Sequence, residues 1–343
     1  MRAALLTAIG QPLEVVDVET PRPGPDEVLV RTHTCGVCRT DLHLQAGLAY
    51  VPKLPHIPGH EPGGTVVDVG REVRDITVGQ RVVPHLFVRD RECRYTRSGY
   101  DAQATHLRGI LGVTMPGAFA EFFVAPSHNL MPLPDEVDFA AGGLASCAAV
   151  TAVHAFQKSG VGLGDSAAVI GCGGIGLMVV QLLTAAGVQT TGFDLSSQAI
   201  EMARGFGADG SVLPPDALEA NELDKLERAG AFDAVFEFVG RSTTMRLAAT
   251  LARRRGRIIV VGEEDESPAI STIQIAQREL ELIGARNGGM REMAAALHLM
   301  AQGTLRPPIA GRYPLGRIGD ALDSLCRGTA PGRIVVDVVG TMN

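Results

Sequence analysis

Apolar positions in the first part of the chain fall in short runs, Glu27–His33, Gly64–Val69, Arg81–Pro84 and Ala120–Val124. Proline and glycine separate them at Pro21–Pro25, Pro52–Pro58, Pro62-Gly63-Gly64 and Pro132–Pro134. Short runs with such breakers predict an irregular, loop-rich β domain, a barrel or an open sheet. From about Ser146 the period changes. Cys147–Ser159 reads as a helix of small residues ended by Gly160 and Gly162, and strand and helix patterns then alternate. Ser166–Ile170, Gln189–Phe193, Phe232–Glu237 and Arg257–Val261 read as strands. Ile175–Ala186, Gln198–Phe206 and Thr243–Ala252 read as the helices among them. Alternation of this kind predicts a parallel sheet covered by helices on both faces. After Ile283 a further helix, Met290–Gln302, and a helix-and-strand segment to Val339 are expected to return to the first domain. The fold class is therefore α/β, with a β-rich domain of residues 1–147 and 286–343 interrupted by a doubly wound parallel-sheet domain of residues 148–285.

Length and charge narrow the picture. A chain of 343 residues is too long for one typical core and suits two domains. Its net charge of −7 argues against a general nucleic-acid surface, which needs a basic field. The densest basic run, Arg253-Arg254-Arg255, reads as a solvated turn before a strand, and the arginines around residues 89–108 read as a solvated loop or an interface. The apolar stretches are strand-sized, short of the roughly 20 residues that span a bilayer. No basic-then-apolar export signal opens the sequence, so a cytoplasmic protein without membrane partners is expected. In that compartment the six cysteines are expected as free thiols or metal ligands. Cys35-Gly36-Val37-Cys38 has CxxC spacing, but no second pair follows to complete a zinc ribbon.

Three stretches carry chemistry. Gly171-Cys172-Gly173-Gly174-Ile175-Gly176 fits GxGxxG, follows a strand, opens a helix, and has Asp194 at the end of the next strand. In such a loop Gly171 allows the tight turn, Gly173 lets backbone approach a pyrophosphate, and Gly176 lets the helix pack on the strand. Asp194 suits the ribose hydroxyls and repels a 2′-phosphate, and no cation follows in Leu195-Ser196-Ser197, which favours NAD over NADP. Cys38-Arg39-Thr40-Asp41-Leu42-His43 gathers a thiol, a cation, a hydroxyl, a carboxylate and an imidazole in six residues. A turn-forming Pro58-Gly59 leads into His60-Glu61. A catalytic zinc needs three protein ligands and an open fourth position. Cys38, His60 and Cys147 can supply them, with Cys147 placed where the second domain begins, so that a metal would lie at the cleft.

The chain resembles the zinc-dependent medium-chain alcohol dehydrogenases over essentially its whole length. The resemblance rests on Gly36–His43, Gly59-His60-Glu61, Gly117–Glu121, Ser146–Ala152, the Gly171–Gly176 loop and Gly332–Asp337. It implies a GroES-like catalytic domain split around a Rossmann domain, one catalytic zinc per chain, NAD, and a small alcohol or carbonyl substrate. It also implies a homodimer or homotetramer through the Rossmann sheet edge, for which Ser267–Ile275 is the candidate segment. Carried over residue by residue, Cys38, His60 and Cys147 match the zinc ligands and Glu61 the neighbouring acid. Asp41 matches the partner of the His60 ring, Thr40 the hydroxyl on the substrate oxygen, and His43 the group that passes the proton out. Arg39 and Arg333 match positions on the pyrophosphate, beside the loop of Gly171, Gly173, Gly174, Ile175 and Gly176.

Two departures from the family pattern matter. Where many relatives place four cysteines around a structural zinc, the corresponding positions are Asp90, Cys93, Thr96 and Ala104. Thr and Ala cannot replace thiolates on zinc, so no structural zinc is expected and the lobe must be held by packing and hydrogen bonds. His85 falls where relatives carry a large aromatic, beside Leu42, Tyr50, Phe87 and Leu111 as candidate pocket walls. An imidazole there either meets a polar group on the substrate or serves packing. The alternatives are a metal-free reductase of quinones or activated double bonds and a nucleotide-binding relative without turnover. The Cys38/His60/Cys147 set opposes the first, and intact Thr40 and His43 oppose the second.

Overall fold

In the computed structural model the described residues are 1–48, 50, 52–90, 92–212, 232–264, 267, 270–328 and 331–338. They form two compact units. The first comprises Met1–Val150, Gly288–Gly303 and Ile309–Asn343, and the second Thr151–Asn287 with Thr304–Pro308.

Among the described residues the first unit is built on a seven-stranded sheet. Its order is Ile309–Pro314, Arg333–Asp337, Glu27–Val37, Glu61–Val69, Arg81–Pro84 and Leu130–Pro132, with Phe122–Pro126 also paired to Glu27–Val37. Glu27–Val37 is the spine. Register shifts at Leu29/Val30 and Thr32/Thr34 against Glu61–Val69 bend it, as bulges do. Inward residues of the sheet, Val28, Val30, Val37, Val66 and Phe123, pack with Phe119, Ile318 and Leu322 into one core.

The second unit carries a six-stranded sheet, parallel throughout, in the order Asp209–Val212, Gln189–Asp194, Ser166–Ile170, Phe232–Glu237, Ala252–Val260 and Glu281–Gly284. Ala167 to Ile170 are buried without alternation, because a central parallel strand has helices on both faces. The strand order reverses between Ser166–Ile170 and Phe232–Glu237, the switch point beside which such sheets bind ligands. Thr304–Pro308 joins this unit against the expectation that the whole tail returns to the first. Gln181, a buried polar residue on the helix Gly176–Ala185, explains it. Its amide donates to Arg306 O at 3.0 Å and its carbonyl accepts from Arg306 N at 2.8 Å.

Among the described residues the edge strands of this sheet are Asp209–Val212 and Glu281–Gly284; of the expected segment Ser267–Ile275, residues 268 and 269 lie outside the described residues. Val339, the expected end of the last strand, also lies outside them; that strand is Arg333–Asp337. The Arg253–Arg255 run is not a bare turn. Arg253 pairs with Asp233 at 2.5 Å, and Arg255, at φ +59°, pairs with Glu279 at 3.3 Å. In the lobe Arg108 pairs with Asp26 and Glu27, and Thr96 caps its own short helix by accepting from Cys93 N at 2.9 Å. Arg91 lies outside the described residues. No single helix among the described residues is long and apolar enough to cross a membrane.

Candidate active site

Asp41 organises the first half of the site. Cys38 is the N-cap of the helix Arg39–Ala46, and Asp41 is its third residue. From there the carboxylate reaches back, and its Oδ2 accepts from Cys38 N at 2.8 Å, satisfying one of the donors a helix start leaves open. Its other oxygen lies 3.3 Å from Nδ1 of His60. One buried carboxylate thus holds the backbone of Cys38 and faces the imidazole, and it leaves Nε2 as the ring nitrogen available to a metal.

His60 enters from the turn before the strand Glu61–Val69. Gly59 stands at φ +94°, and a Cβ there would meet Phe119 N at 2.6 Å, so only glycine permits this approach. Glu61 is 0% exposed. It faces Gly36 across the strand pair, and a Cβ on Gly36 would come within 2.1 Å of Glu61 Oε2. The missing side chain makes room for the carboxylate, a signal that sequence reading passed over. On the other side of the same spine runs Arg333–Asp337. Nη2 of Arg333 donates to both oxygens of Glu61 at 2.5 Å. The guanidinium expected on a pyrophosphate is thereby placed on Glu61.

Cys147 sits between the turn Leu144–Ser146 and the helix Ala148–Ser159. One ligand atom each from Cys38, His60, Glu61 and Cys147 lies within 4.8 Å of the others. The Cys147 thiol donating to it holds Cys38 well below the usual thiol range, and Cys147 is pushed correspondingly up. Burial alone would lower the pKa of His60, but Asp41 and the Cys38 sulfur raise it well above its ordinary value. The Cys147 thiol and the His60 ring thus hold protons that a divalent metal would displace on binding. Zinc with sulfur at about 2.3 Å and nitrogen at about 2.0 Å separates its ligands by roughly 3.3–3.8 Å. The spacing here fits that with a small contraction. Two thiolates and an imidazole select zinc over hard cations such as magnesium.

Beside Cys147 lies an apolar cluster of Leu44, Leu86, Phe87, Ala102, Ile110 and Val113, with Tyr50 packed against it. Phe87 belongs to this cluster and Tyr50 packs against it, whereas Leu111 belongs to the core of the seven-stranded sheet and Leu42 packs against that core. Leu44 faces the other way from Leu42, into the cluster beside Cys147, because two helical residues two positions apart point about 200° apart. His85 is 1% exposed, with Nε2 3.1 Å from Gly288 O and its ring 5.9 Å from that of Phe87. Burial lowers its pKa, and the neutral ring donates to the carbonyl. Thr40 Oγ1 lies 3.7 Å from Cys38 Sγ, and His43, half-buried, follows one turn later. Arg39 is exposed at the helix start, and Cys35 is a buried thiol whose pKa burial drives up.

In the second unit the glycine loop turns at Gly171, φ +90°. A Cβ on Gly176 would stand 2.0 Å from Gly171 O, so the helix packs this close only because residue 176 is glycine. A Cβ on Gly173 would meet nothing within 4 Å. The protein's own packing therefore does not require glycine there. Gly174 and Ile175 complete the turn, with Ile175 as N-cap of the helix. Asp194 accepts from Cys172 N at 2.8 Å through one oxygen and from Ser196 N at 2.9 Å through the other. Its carboxylate is thus held at the loop with lone pairs to spare. Cys172 is buried, and burial pushes its thiol up to about 12.

A buried sulfur–imidazole cluster in a β-rich unit, joined in one chain to a glycine loop at a switch point, defines a metal-using, dinucleotide-dependent oxidoreductase. Residues 24–135 match the alcohol dehydrogenase GroES-like domain, and residues 174–302 match the zinc-binding dehydrogenase domain. An alcohol dehydrogenase of Geobacillus stearothermophilus is 33% identical over 98% of this chain and 100% of its own. An NAD-dependent alcohol dehydrogenase of Sulfolobus acidocaldarius is 28% identical over 98% and 100%. The crystal structure of the alcohol dehydrogenase of Aeropyrum pernix superposes with a TM-score of 0.91 at 30% identity, covering 98% of this chain and all of that one. The chain belongs to the zinc-type medium-chain dehydrogenase family and is an alcohol dehydrogenase-like oxidoreductase.

Proposed function

We propose that this protein is a zinc- and NAD-dependent dehydrogenase that interconverts an apolar primary or secondary alcohol with its aldehyde or ketone. The observation that carries the reading is the buried Cys38, His60, Glu61 and Cys147 cluster, oriented by Asp41 and flanked by apolar side chains. In it Cys38, His60 and Cys147 hold the metal, and the first unit is the catalytic half. The second unit is the cofactor half, with the pyrophosphate at Gly171, Gly173, Gly174, Ile175 and Gly176 and the ribose on Asp194. Bound zinc supplies a Lewis acid that lowers the pKa of an alcohol, and NAD supplies the hydride acceptor. The remaining work falls to side chains. The Thr40 hydroxyl, beside Cys38, accepts the alcohol's hydrogen bond and passes a proton on as it receives one, and the half-buried His43 one turn later delivers a proton to solvent. Asp41 keeps His60 in register, Arg39 offers a cation to the pyrophosphate, and Tyr50 and Phe87 exclude water from the reacting carbon.

The test is a panel of straight-chain, branched and aromatic alcohols offered with NAD and with NADP, followed by the appearance of reduced cofactor. Turnover with NAD exceeds that with NADP by at least about tenfold, and Asp194→Ala narrows the ratio, because a carboxylate lost from the ribose also removes the repulsion of a 2′-phosphate. No reduced cofactor with any alcohol, or an unchanged ratio, counts against the assignment.

We further propose two or four copies per assembly, joined along the edge strand Glu281–Gly284. Leu282 is 41% exposed on it, and Ile273 on the neighbouring helix is 66% exposed. Leu282→Asp lowers the mass measured by light scattering to that of one chain. A wild-type mass of one chain overturns the proposal.

A further inference from the structure

The lobe around residues 90–104, which keeps only Cys93 of the four family-pattern cysteines, is closed by a carboxylate. Asp101 is 4% exposed. Its Oδ2 accepts from the backbone N–H of Met290 at 3.0 Å, 189 residues along the chain, and its Oδ1 lies 3.5 Å from Nη1 of Arg89. Met290 opens the helix Met290–Ala301, whose N-cap is Gly289. A glycine cap has no side-chain acceptor for the open donors of the first turn. Glu292 meets one of them by accepting from Gly289 N at 3.0 Å. The next is met from the lobe. A residue with a cap side chain could not stand at 289 without displacing the lobe, because a Cβ would lie 2.1 Å from Gly99 O and 2.8 Å from Asp101 Oδ2. The helix thus lacks a cap of its own where the lobe approaches, and the lobe returns one. The neighbouring Gly288 is held separately, by the His85 ring on its carbonyl.

We propose that Asp101 is a positioning residue. It clasps the lobe to the 288–290 turn without a metal and thereby sets one wall of the alcohol site. The link to that wall is Ala102, 5% exposed and packed with Leu86, Phe87 and Ile110 in the cluster that Tyr50 and Cys147 adjoin. The clasp stands on geometry alone, whereas its effect on substrate rests on the alcohol reading above.

Hydrogen exchange on the zinc-loaded, substrate-free protein tests the clasp. In Asp101→Ala the amides of residues 94–103 and of Met290 exchange about tenfold faster, as the loss of a buried cap demands. Asp101→Asn keeps an acceptor for Met290 but loses the charge facing Arg89, and falls between. Gly289→Ser gives the helix its own cap while its Cβ forces Gly99 away, so lobe amides accelerate and helix amides do not. With alcohols, the loss in Asp101→Ala falls on the KM of a branched or aromatic substrate more than on kcat, at unchanged zinc content. Lobe exchange like that of wild type in Asp101→Ala and Gly289→Ser overturns the clasp. Faster lobe exchange with KM unaltered, or with kcat falling alike for small and bulky alcohols, overturns the positioning role. If the wild type oxidises no alcohol, the exchange experiment still decides the clasp, and only the proposed function fails.

Discussion

Replacing Cys38 by serine lowers alcohol oxidation by at least about a thousandfold, the equivalent of several kcal/mol of Lewis-acid assistance. The serine hydroxyl keeps the helix cap geometry, since Asp41 bonds to the backbone N–H of residue 38 rather than to its side chain. What is lost is a thiolate. The hydroxyl does not ionise near neutrality, so only one anionic sulfur, Cys147, remains to offset the metal charge beside His60. Zinc content, measured by elemental analysis, falls from about one per chain towards zero. Chelation of the unaltered protein produces the same loss, and added zinc restores activity where magnesium does not. Turnover that survives in zinc-free protein would sink the assignment of the cluster.

Arg333→Ala destabilises the first unit by about 3–5 kcal/mol, the usual cost of leaving a buried charge without its partner. Glu61 has no solvent contact, and Arg333 donates to both of its oxygens. Burial pushes the Glu61 carboxyl pKa up, while the guanidinium pulls it down, so removing the guanidinium leaves the burial penalty unopposed. In a thermal scan the transition moves down by roughly 10 °C or more. The double variant Glu61→Gln/Arg333→Met recovers most of the loss, because a neutral pair of similar volume carries no desolvated charge. A single substitution that costs under about 1 kcal/mol, as an exposed pair would, rules out the desolvated-pair account.

Most of the fold was legible in sequence. The change from short broken strands to strand–helix alternation near Ser146 reflects side-chain period and the breakers between elements, both local properties. The doubly wound domain followed, and so did the strands Ser166–Ile170 and Phe232–Glu237 with their expected limits. The glycine loop was equally legible, since Gly171 needs a positive φ and Gly176 a close approach to the strand before it. The donor types at Cys38, His60 and Cys147 could be read as well, because few side chains bind zinc. Their convergence could not be read from any one segment.

Other features had no local signature. Leu42 and Leu44 are equally apolar neighbours, and only the seating of their helix sends one to the barrel core and the other towards Cys147. Arg333 reads as a cation for phosphate until strand pairing sets it against Glu61, 272 residues away. Nothing in the sequence singles out Asp101, and only the glycine cap at residue 289 leaves Met290 N–H for it to accept. Element type and ligand chemistry depend on residues a few positions apart and can be inferred from them. Which carboxylate is buried, and by which cation or amide it is answered, depends on register and packing between distant strands, and these exist only once the chain has folded.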